Sequence, residues 1–314
     1  MYRLRQVAHI VVFLVIITIS FNTTYNPFSM ESIPSFMQTT KTTDPLYEEI
    51  EKQAKAYKEE AVDSYIDDVW KKTPGRNGLE VNIVKSYERM KKKGKYDETL
   101  LVYNQIAPKV SLEDLPPSPI YRGNPEKNMV SLLINVSWGT EYVPELLAIL
   151  KEKKVRANFF IEGKWAKENV ELVKMIKSQN HLIGNHAYNH PDMARLSNQE
   201  MVEQISQTND ILKAITGNTP TWFAPPSGSY NQHVVDAAHS LKMETILWTV
   251  DTIDWKKPTV SVMINRVSSK LHPGATILMH PTASTAAGLS DLIDSVKDKG
   301  YKIGTMEQLV SPER

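Results

Sequence analysis

The 314-residue sequence contains no cysteine, so disulfide bonds and thiolate metal sites are both excluded. It also lacks a charge excess of either sign, because 37 lysines and arginines stand against 36 aspartates and glutamates. Proteins that bind nucleic acid normally carry a basic excess, so the composition gives no indication of such a partner. The lack of cysteine fits a protein that works outside a bacterial cell, although many cytosolic chains share it.

The sequence also has little in the way of long hydrophobic runs. The run at residues 7–21 is short for a membrane span, which needs roughly 20 residues. Arg3 and Arg5 precede it, and basic residues before an apolar core are typical of an export signal. No small-x-small cleavage site follows, which favours an uncleaved signal anchor over residues 1–24. A cleaved signal peptide is the second interpretation, and a buried core helix is the third. Both of the first two place the remaining chain outside the cytoplasm.

Three segments are predicted between this anchor and the final domain. Residues 25–43 are rich in Ser, Thr, Asn and Pro without periodicity, which is typical of a tether. Residues 44–112 predict a small α/β module, with a helical stretch over 44–70 and a second helix near 84–93. Residues 113–128 are rich in proline and predict a semi-rigid linker.

The remaining segment, residues 129–310, alternates strand-like and helical patterns. One of its helices follows Ser197, where Glu200 completes a capping box. Regular alternation of this kind predicts an α/β fold with a parallel sheet covered by helices, most simply a (β/α) barrel. In such folds the chemistry collects at the C-terminal ends of the strands, and the polar motifs of this segment fall at those ends.

Three of these strand ends carry side chains that suit a metal-dependent hydrolase. His186 and His190 are four residues apart, and two imidazoles at this spacing can converge on one divalent cation if a third ligand is present. Asp251 and Asp254 follow a second strand and His280 a third. An aspartate beside a histidine orients the imidazole for general-acid catalysis. Taken singly, the histidine pair is more often a chance or core feature, and each aspartate more often a helix cap.

A fourth motif is the Pro-Pro turn before Ser227 and Gly228, whose backbone N–H groups are candidates to face an oxyanion. In order and spacing, the motifs resemble those of the polysaccharide deacetylase family, also called the NodB homology domain or carbohydrate esterase family 4. The resemblance covers about residues 129–310. It implies a distorted (β/α) barrel that removes acetyl groups from N-acetylglucosamine polymers with a zinc-like cation. The anchored arrangement also resembles sporulation-associated and cell-wall deacetylase homologues of Bacillus-like bacteria.

The resemblance implies a role for each matching position. It makes His186 and His190 the metal ligands and His280 the general acid, with Asp254 and Asp251 beside it in the catalytic site. The implied substrate groove, including the oxyanion-hole position, consists of Pro226, Ser227, Tyr230, Trp255 and Leu278.

Three positions depart from the family pattern. Aligned on Gly139, Ser137 replaces the aspartate that acts as base and Trp138 replaces the aspartate that binds the metal. Ala224 replaces the arginine that pairs with the base. A serine cannot act as a base without a second base, and an indole offers no lone pair to a metal. An arginine without the base would cost several kcal/mol as an unpaired charge, so the losses make sense together. We expect weak metal binding at best.

Two nearby carboxylates are candidate substitutes: Glu141, two residues past Gly139, and Asp192, two past His190. Surface solvation is the simpler interpretation of both, because a loop residue seldom meets the tolerance of a metal site. Three functions therefore stay open. The first is an impaired extracytoplasmic deacetylase homologue that binds cell-wall glycan, such as peptidoglycan. The second is an active metal-dependent de-N-acetylase or esterase with a substitute carboxylate. The third is a membrane-tethered protein that binds an unidentified protein partner through residues 44–112.

Overall fold

The computed structural model describes residues 11–13 and 44–314. The anchor predicted over residues 1–24, apart from residues 11–13, and the tether over 25–43 lie outside the described residues. Among the residues that are described, no helix combines the length and the apolar character needed to cross a membrane.

The chain divides into two compact units. The first unit is formed by Met1–Ala56 and Asn82–Val102, and the second by Tyr57–Val81 and Tyr103–Arg314. In the first unit, helices α1 (Pro45–Ala54) and α2 (Ile83–Met90) pack together. Asp44 caps α1 by accepting a hydrogen bond from the Leu46 N–H at 2.9 Å. Its second carboxylate oxygen accepts one from the Tyr87 hydroxyl at 2.6 Å, which ties the two helices together.

The helix predicted over residues 44–70 is wrong beyond Ala54. Residues 55–57 form one 3₁₀ turn, and the chain then enters extended structure, where Glu59 pairs with Leu79. Two short antiparallel sheets follow in the second unit, because long-range strand pairing overrides a weak local helix preference. Their strands are β1 (Tyr65–Asp67) with β2 (Lys71–Thr73), and β3 (Gly78–Val81) with β4 (Tyr103–Ile106).

The main sheet of the second unit is parallel, with the order β10-β11-β5-β6-β7-β8-β9, and β12 also pairs with β5. Its strands are β5 (Met129–Val136), β6 (Asn158–Ile161), β7 (Leu182–Asn185), β8 (Trp222–Phe223), β9 (Glu244–Thr245), β10 (Val250–Asp251), β11 (Thr276–Met279) and β12 (Lys302–Ile303). The α/β fold predicted from the alternating pattern is confirmed. The single strand predicted around residues 243–251 is wrong, because β9 and β10 lie at opposite ends of the sheet order.

The position of β9 and β10 at opposite ends of the sheet order shows that the sheet is curled. Seven strands laid flat, about 4.8 Å apart, would place β9 and β10 roughly 29 Å from each other. Residues 246–249 connect them directly. At about 3.5 Å per residue, this connection reaches at most roughly 18 Å. The two edges must therefore approach each other, as in a barrel that is not closed.

Helices cover the outer face of the curled sheet. The capping box predicted at Ser197 and Glu200 is present. The helix Ala283–Asp298 comes between β11 and β12 and was not predicted. The helices are α3 (Val143–Glu152), α4 (Gly163–Glu168), α5 (Val170–Ser178), α6 (Asn198–Thr216), α7 (Gln232–Ser240), α8 (Val260–Lys270), α9 (Ala283–Asp298) and α10 (Met306–Val310).

His181, which lies just before β7, makes the stability of the fold depend on pH. It is buried, and its Nδ1 accepts a hydrogen bond from the Ala157 N–H at 3.1 Å. Burial, with the charge of Arg156, lowers its pKa to about 4. In the unfolded chain the pKa is about 6.5. Between these values only the unfolded chain takes up the proton, so the contribution of His181 is present above pH 6.5 and is lost as pH falls toward 4.

Between pH 7 and 5 the free energy of unfolding of the original chain should fall because of His181. We therefore expect it to fall less in the His181→Asn variant, by up to about 1.4 kcal/mol per pH unit. Asparagine keeps an acceptor for the Ala157 N–H but does not titrate. Urea titrations of both proteins at the two pH values measure this difference. Equal slopes for the two proteins would mean that His181 is protonated in the folded state.

Candidate functional site

The C-terminal ends of the central strands surround a cavity of about 370 Å³. Its lining residues are Asn135, Ser137, Trp138, His186, His190, Ser227, Trp248, Asp251, Trp255, Leu278 and His280. Residues predicted from separate motifs therefore meet at one place. Six of the residues singled out in the sequence do not line it: Ala224, Pro226, Tyr230, Asp254, Glu141 and Asp192. Tyr230 instead pairs its hydroxyl with that of Tyr121 at 2.9 Å.

The two histidines of the second motif lie side by side, with ring centroids 5.2 Å apart. His186 is buried, and its Nδ1 lies 2.7 Å from the Ala224 carbonyl oxygen. A carbonyl only accepts, so Nδ1 donates and the neutral ring keeps a lone pair on Nε2. Burial lowers the pKa of His186 to about 3 and also lowers the pKa of His190. Both rings are therefore neutral near pH 7, the form in which imidazole binds a metal.

His280 is held by a buried aspartate. Its Nδ1 lies 2.8 Å from Asp254 Oδ1, and its backbone N–H donates to Asp254 Oδ2 at 2.6 Å. The Thr285 hydroxyl donates to the same Oδ2 at 2.7 Å. Asp254 thus lies behind the imidazole and fixes its orientation, as the family resemblance implies. Asp251 instead faces the cavity, and burial raises the pKa of its carboxyl group.

The backbone keeps an unusual conformation at several motif positions. Ala187, His190, Ser227 and Ile253 all have φ between 52° and 59°, in the left-handed region. Such a residue costs of order 1–3 kcal/mol unless it is glycine, and these conformations cluster at functional sites. Strained backbone of the kind that clusters at functional sites is therefore present at these four positions.

The first motif no longer offers a metal ligand. The family resemblance aligns Trp138 with a metal-binding aspartate, and the Trp138 ring stacks on His280 with centroids 5.8 Å apart and planes 12° apart. Across residues 11–13 and 44–314, no group of three His, Cys, Asp or Glu side chains is arranged to hold a metal ion. Two imidazoles beside an indole do not make a structural or catalytic metal site, which needs at least three protein ligands. The donor set therefore does not fit the zinc-like cation that the family resemblance implies.

Neither candidate substitute carboxylate is part of the cavity lining. Asp192 is exposed and accepts a hydrogen bond from the Ser229 hydroxyl, and Arg195 Nε lies 3.0 Å from its other oxygen. Glu141 lies in the exposed 3₁₀ turn that follows Gly139. Asp192 is therefore engaged in surface contacts, and Glu141 is exposed.

Four residues near the site were not predicted. Asn135 and Trp248 line the cavity, Thr285 supports Asp254, and Glu162 is buried beside Ser137. Burial raises the pKa of Glu162, while the nearby Ser137 hydroxyl acts to lower it without reaching full hydrogen-bond geometry. A signal existed for Asn135 and Glu162, because each is a polar residue in or directly after an apolar strand. Thr285 gave none, since it lies 31 residues beyond its partner.

Comparisons with known proteins identify relatives of this chain. The model of the family described as "Polysaccharide deacetylase" matches residues 122–246. The uncharacterized protein YlxY of Bacillus subtilis is 49% identical over 96% of both chains. The peptidoglycan-N-acetylglucosamine deacetylase of Bacillus cereus is 31% identical over 60% of this chain and 70% of its own.

A solved structure extends the similarity to a protein described as a pseudoenzyme. BA3943 of Bacillus anthracis, described as a CE4 family pseudoenzyme, matches with a TM-score of 0.82 and 49% identity over 86% of this chain and 96% of its own. A BA3943 mutant described as having restored enzymatic activity also has a TM-score of 0.82, with 48% identity over 86% of this chain and 99% of its own. This chain belongs to the polysaccharide deacetylase family, carbohydrate esterase family 4.

Proposed function

We propose that this chain is a catalytically impaired polysaccharide deacetylase homologue that binds N-acetylglucosamine-containing glycan of the cell wall, outside the cytoplasm. The observation that carries the proposal is Trp138, an aromatic side chain stacked on His280 where the family has a metal-binding carboxylate. An indole has no lone pair for a cation, so it removes a ligand and adds a flat apolar surface in its place.

The loss of the base supports the same proposal. Ser137 stands at the base position, and a serine hydroxyl takes up no proton near neutral pH without a second base. Its Oγ is buried and has no hydrogen-bond partner among the described residues, so neither imidazole of the cavity is positioned to activate it. The family arginine that would pair with a base is Ala224, which is buried. A deacetylation step therefore lacks both its base and its metal.

The groove keeps features that suit a sugar chain. Trp255 is 51% exposed and Trp138 is 44% exposed, and both line the cavity together with Trp248. Exposed indoles offer large apolar faces for ring stacking at little entropic cost. The named B. cereus relative is a peptidoglycan-N-acetylglucosamine deacetylase, which supports a related glycan as the ligand. The export signal predicted over residues 1–24 supports a place outside the cytoplasm, with the membrane anchor as its first interpretation.

The proposal is tested with the purified full chain and three assays: titration with Zn²⁺, Co²⁺ and Ni²⁺, acetate release from N-acetylglucosamine oligomers and peptidoglycan, and binding to the same glycans. We expect no stoichiometric metal binding and no acetate, together with glycan binding. Trp255→Ala should weaken that binding by up to about tenfold, because one aromatic stacking contact is worth about 0.5–1.5 kcal/mol. Tyr65→Ala, which removes an exposed aromatic outside the cavity, is the matched control and should bind like the original chain.

Two results would overturn the proposal. Stoichiometric metal binding with acetate release, both lost in His186→Ala, would identify an active deacetylase with an unforeseen third ligand. The absence of both glycan binding and turnover would instead leave the partner-binding function.

A further inference from the structure

The floor of the cavity contains polar atoms without partners. Asn135 is 3% exposed, and its Oδ1 has no hydrogen-bond partner among the described residues. The Ser137 Oγ, two residues further along the same strand end, is likewise buried and unpaired. Ser131, the other polar residue of β5, shows the ordinary outcome, because its hydroxyl donates to the Gly304 carbonyl at 2.7 Å. An unpaired buried polar atom costs about 1–3 kcal/mol, so these two atoms mark a place that a ligand with N–H or O–H groups would satisfy.

The charges around the cavity favour a cationic group. None of the lining residues is lysine or arginine, while the Asp251 carboxyl group faces the cavity. Asp251 Oδ1 accepts a hydrogen bond from the Ile253 N–H at 2.7 Å, and within residues 11–13 and 44–314 no hydrogen bond to its Oδ2 is found. His186, with its lone pair on Nε2, contributes a further acceptor.

Cations beyond the lining do not reverse this balance. Arg266 donates to the Thr252 carbonyl at 2.6 Å, next to Asp251 in the chain. Lys256 Nζ lies 4.9 Å above the Trp255 ring, outside the cavity lining. The contact between Lys256 and Trp255 shows that the electron-rich face of this indole already accepts an ammonium group. Trp138 and Trp248 present two more indoles to the cavity, and in the part of the chain that the structure describes no lysine or arginine lies over either ring.

We propose that the cavity binds the free amino group of a de-N-acetylated amino sugar, so that this chain recognises the product of the family's reaction rather than its acetylated substrate. The ammonium group donates to Asn135 Oδ1 and to the Asp251 carboxylate, and the sugar ring lies against the indoles. An acetamido group is neutral and offers one N–H where an ammonium offers three, so it leaves the carboxylate without a counter-charge. This inference rests on the proposed glycan binding and names its ligand class.

The test compares two tetrasaccharides that differ only in acetylation: the glucosamine tetramer and the N-acetylglucosamine tetramer. Calorimetric titration of the full chain at constant ionic strength should give at least tenfold tighter binding of the glucosamine tetramer. Asp251→Asn keeps the acceptor for the Ile253 N–H and removes the charge, so the preference should fall to within about threefold. Glu152→Gln, which removes an exposed carboxylate outside the cavity, should keep the full preference.

Two further variants separate recognition of the amino group from stacking on the sugar ring. Trp255→Ala should weaken both tetramers by a similar factor, whereas Asn135→Leu should weaken the glucosamine tetramer selectively. Circular dichroism and thermal unfolding confirm that each variant is folded. Equal affinity for the two tetramers, or tighter binding of the acetylated one, overturns this inference and leaves the proposed glycan binding intact. Failure of both tetramers and of peptidoglycan to bind overturns the proposed function as well.

Discussion

The triple variant Ser137→Asp, Trp138→Asp, Ala224→Arg is expected to bind one zinc ion per chain and to release acetate from N-acetylglucosamine oligomers. The change at position 138 adds a third ligand beside His186 and His190, whose rings already lie 5.2 Å apart. Three protein ligands with an open position are the arrangement of catalytic zinc sites. The change at position 137 supplies a base, a contribution typically worth about 10²–10⁴ in rate.

The rest of the site is already arranged for this chemistry. His280 is oriented by Asp254, and Ser227, which the resemblance places at the oxyanion hole, has a left-handed backbone with φ 53°. The arginine at position 224 pairs with the new base, which would otherwise be a partly buried charge without a partner. The BA3943 mutant described as having restored enzymatic activity supports the expectation that such a fold can regain function.

Glu162 limits the gain in activity. A carboxylate at position 137 would lie beside this buried carboxyl group, whose pKa is already raised by burial. Two like charges at close range disfavour ionisation of both, and a protonated carboxyl group cannot act as a base. We therefore expect the triple variant with Glu162→Gln to release acetate about tenfold faster near neutral pH than the triple variant alone. The pH at which activity reaches half its maximum should also move to a lower value.

Metal titration and acetate release, measured together, decide this prediction. The control is the triple variant with His186→Ala, which should lose both the zinc and the acetate. If the triple variant folds, binds no zinc and releases no acetate, the histidine pair is not positioned as a metal site. If the Glu162→Gln change has no effect on the pH profile, the two carboxyl groups do not interact.

The positions of the site were predictable because each motif follows a strand. Strand ends of a parallel sheet meet on one side, so His186, Asp251 and His280 could be expected together from sequence alone. Which of the aspartates supports His280 could not be derived from spacing. That role depends on Asp254 being buried at the Thr285 hydroxyl, a contact across 31 residues that only the fold creates.

The fold was predictable to a similar degree. Apolar strands such as β5 are buried over almost their whole length, so their pattern was clear. The region after Ala54 was not, because Tyr57 and Ala61 continue the helical spacing, whereas Glu59 and Val62 pair as extended chain with Leu79 and Arg76. The sequence also did not show that β9 and β10 are two separate strands. Both strands are two residues long, and only the closing of the curled sheet separates them.

The second large effect is expected at Gly139, where Gly139→Ala should lower the free energy of unfolding by about 3 kcal/mol or more, or prevent folding. Gly139 has φ 73°, and a Cβ there would lie 1.9 Å from the Pro281 carbonyl oxygen. The left-handed backbone costs a non-glycine residue about 1–2 kcal/mol. The remaining cost arises because the clash is with backbone, which cannot move aside as a flexible side chain can.

Gly300→Ala separates these two costs. Gly300 has φ 84°, but no atom lies within 4 Å of the Cβ position, so this variant should lose only the conformational term. Urea titration of both variants gives the difference, which we assign to the approach of residue 139 to Pro281. Because these residues directly follow Trp138 and His280, the same approach brings the indole onto the imidazole. Equal losses in the two variants would mean that this contact, and with it the stacked pair of Trp138 and His280, is not held by the backbone.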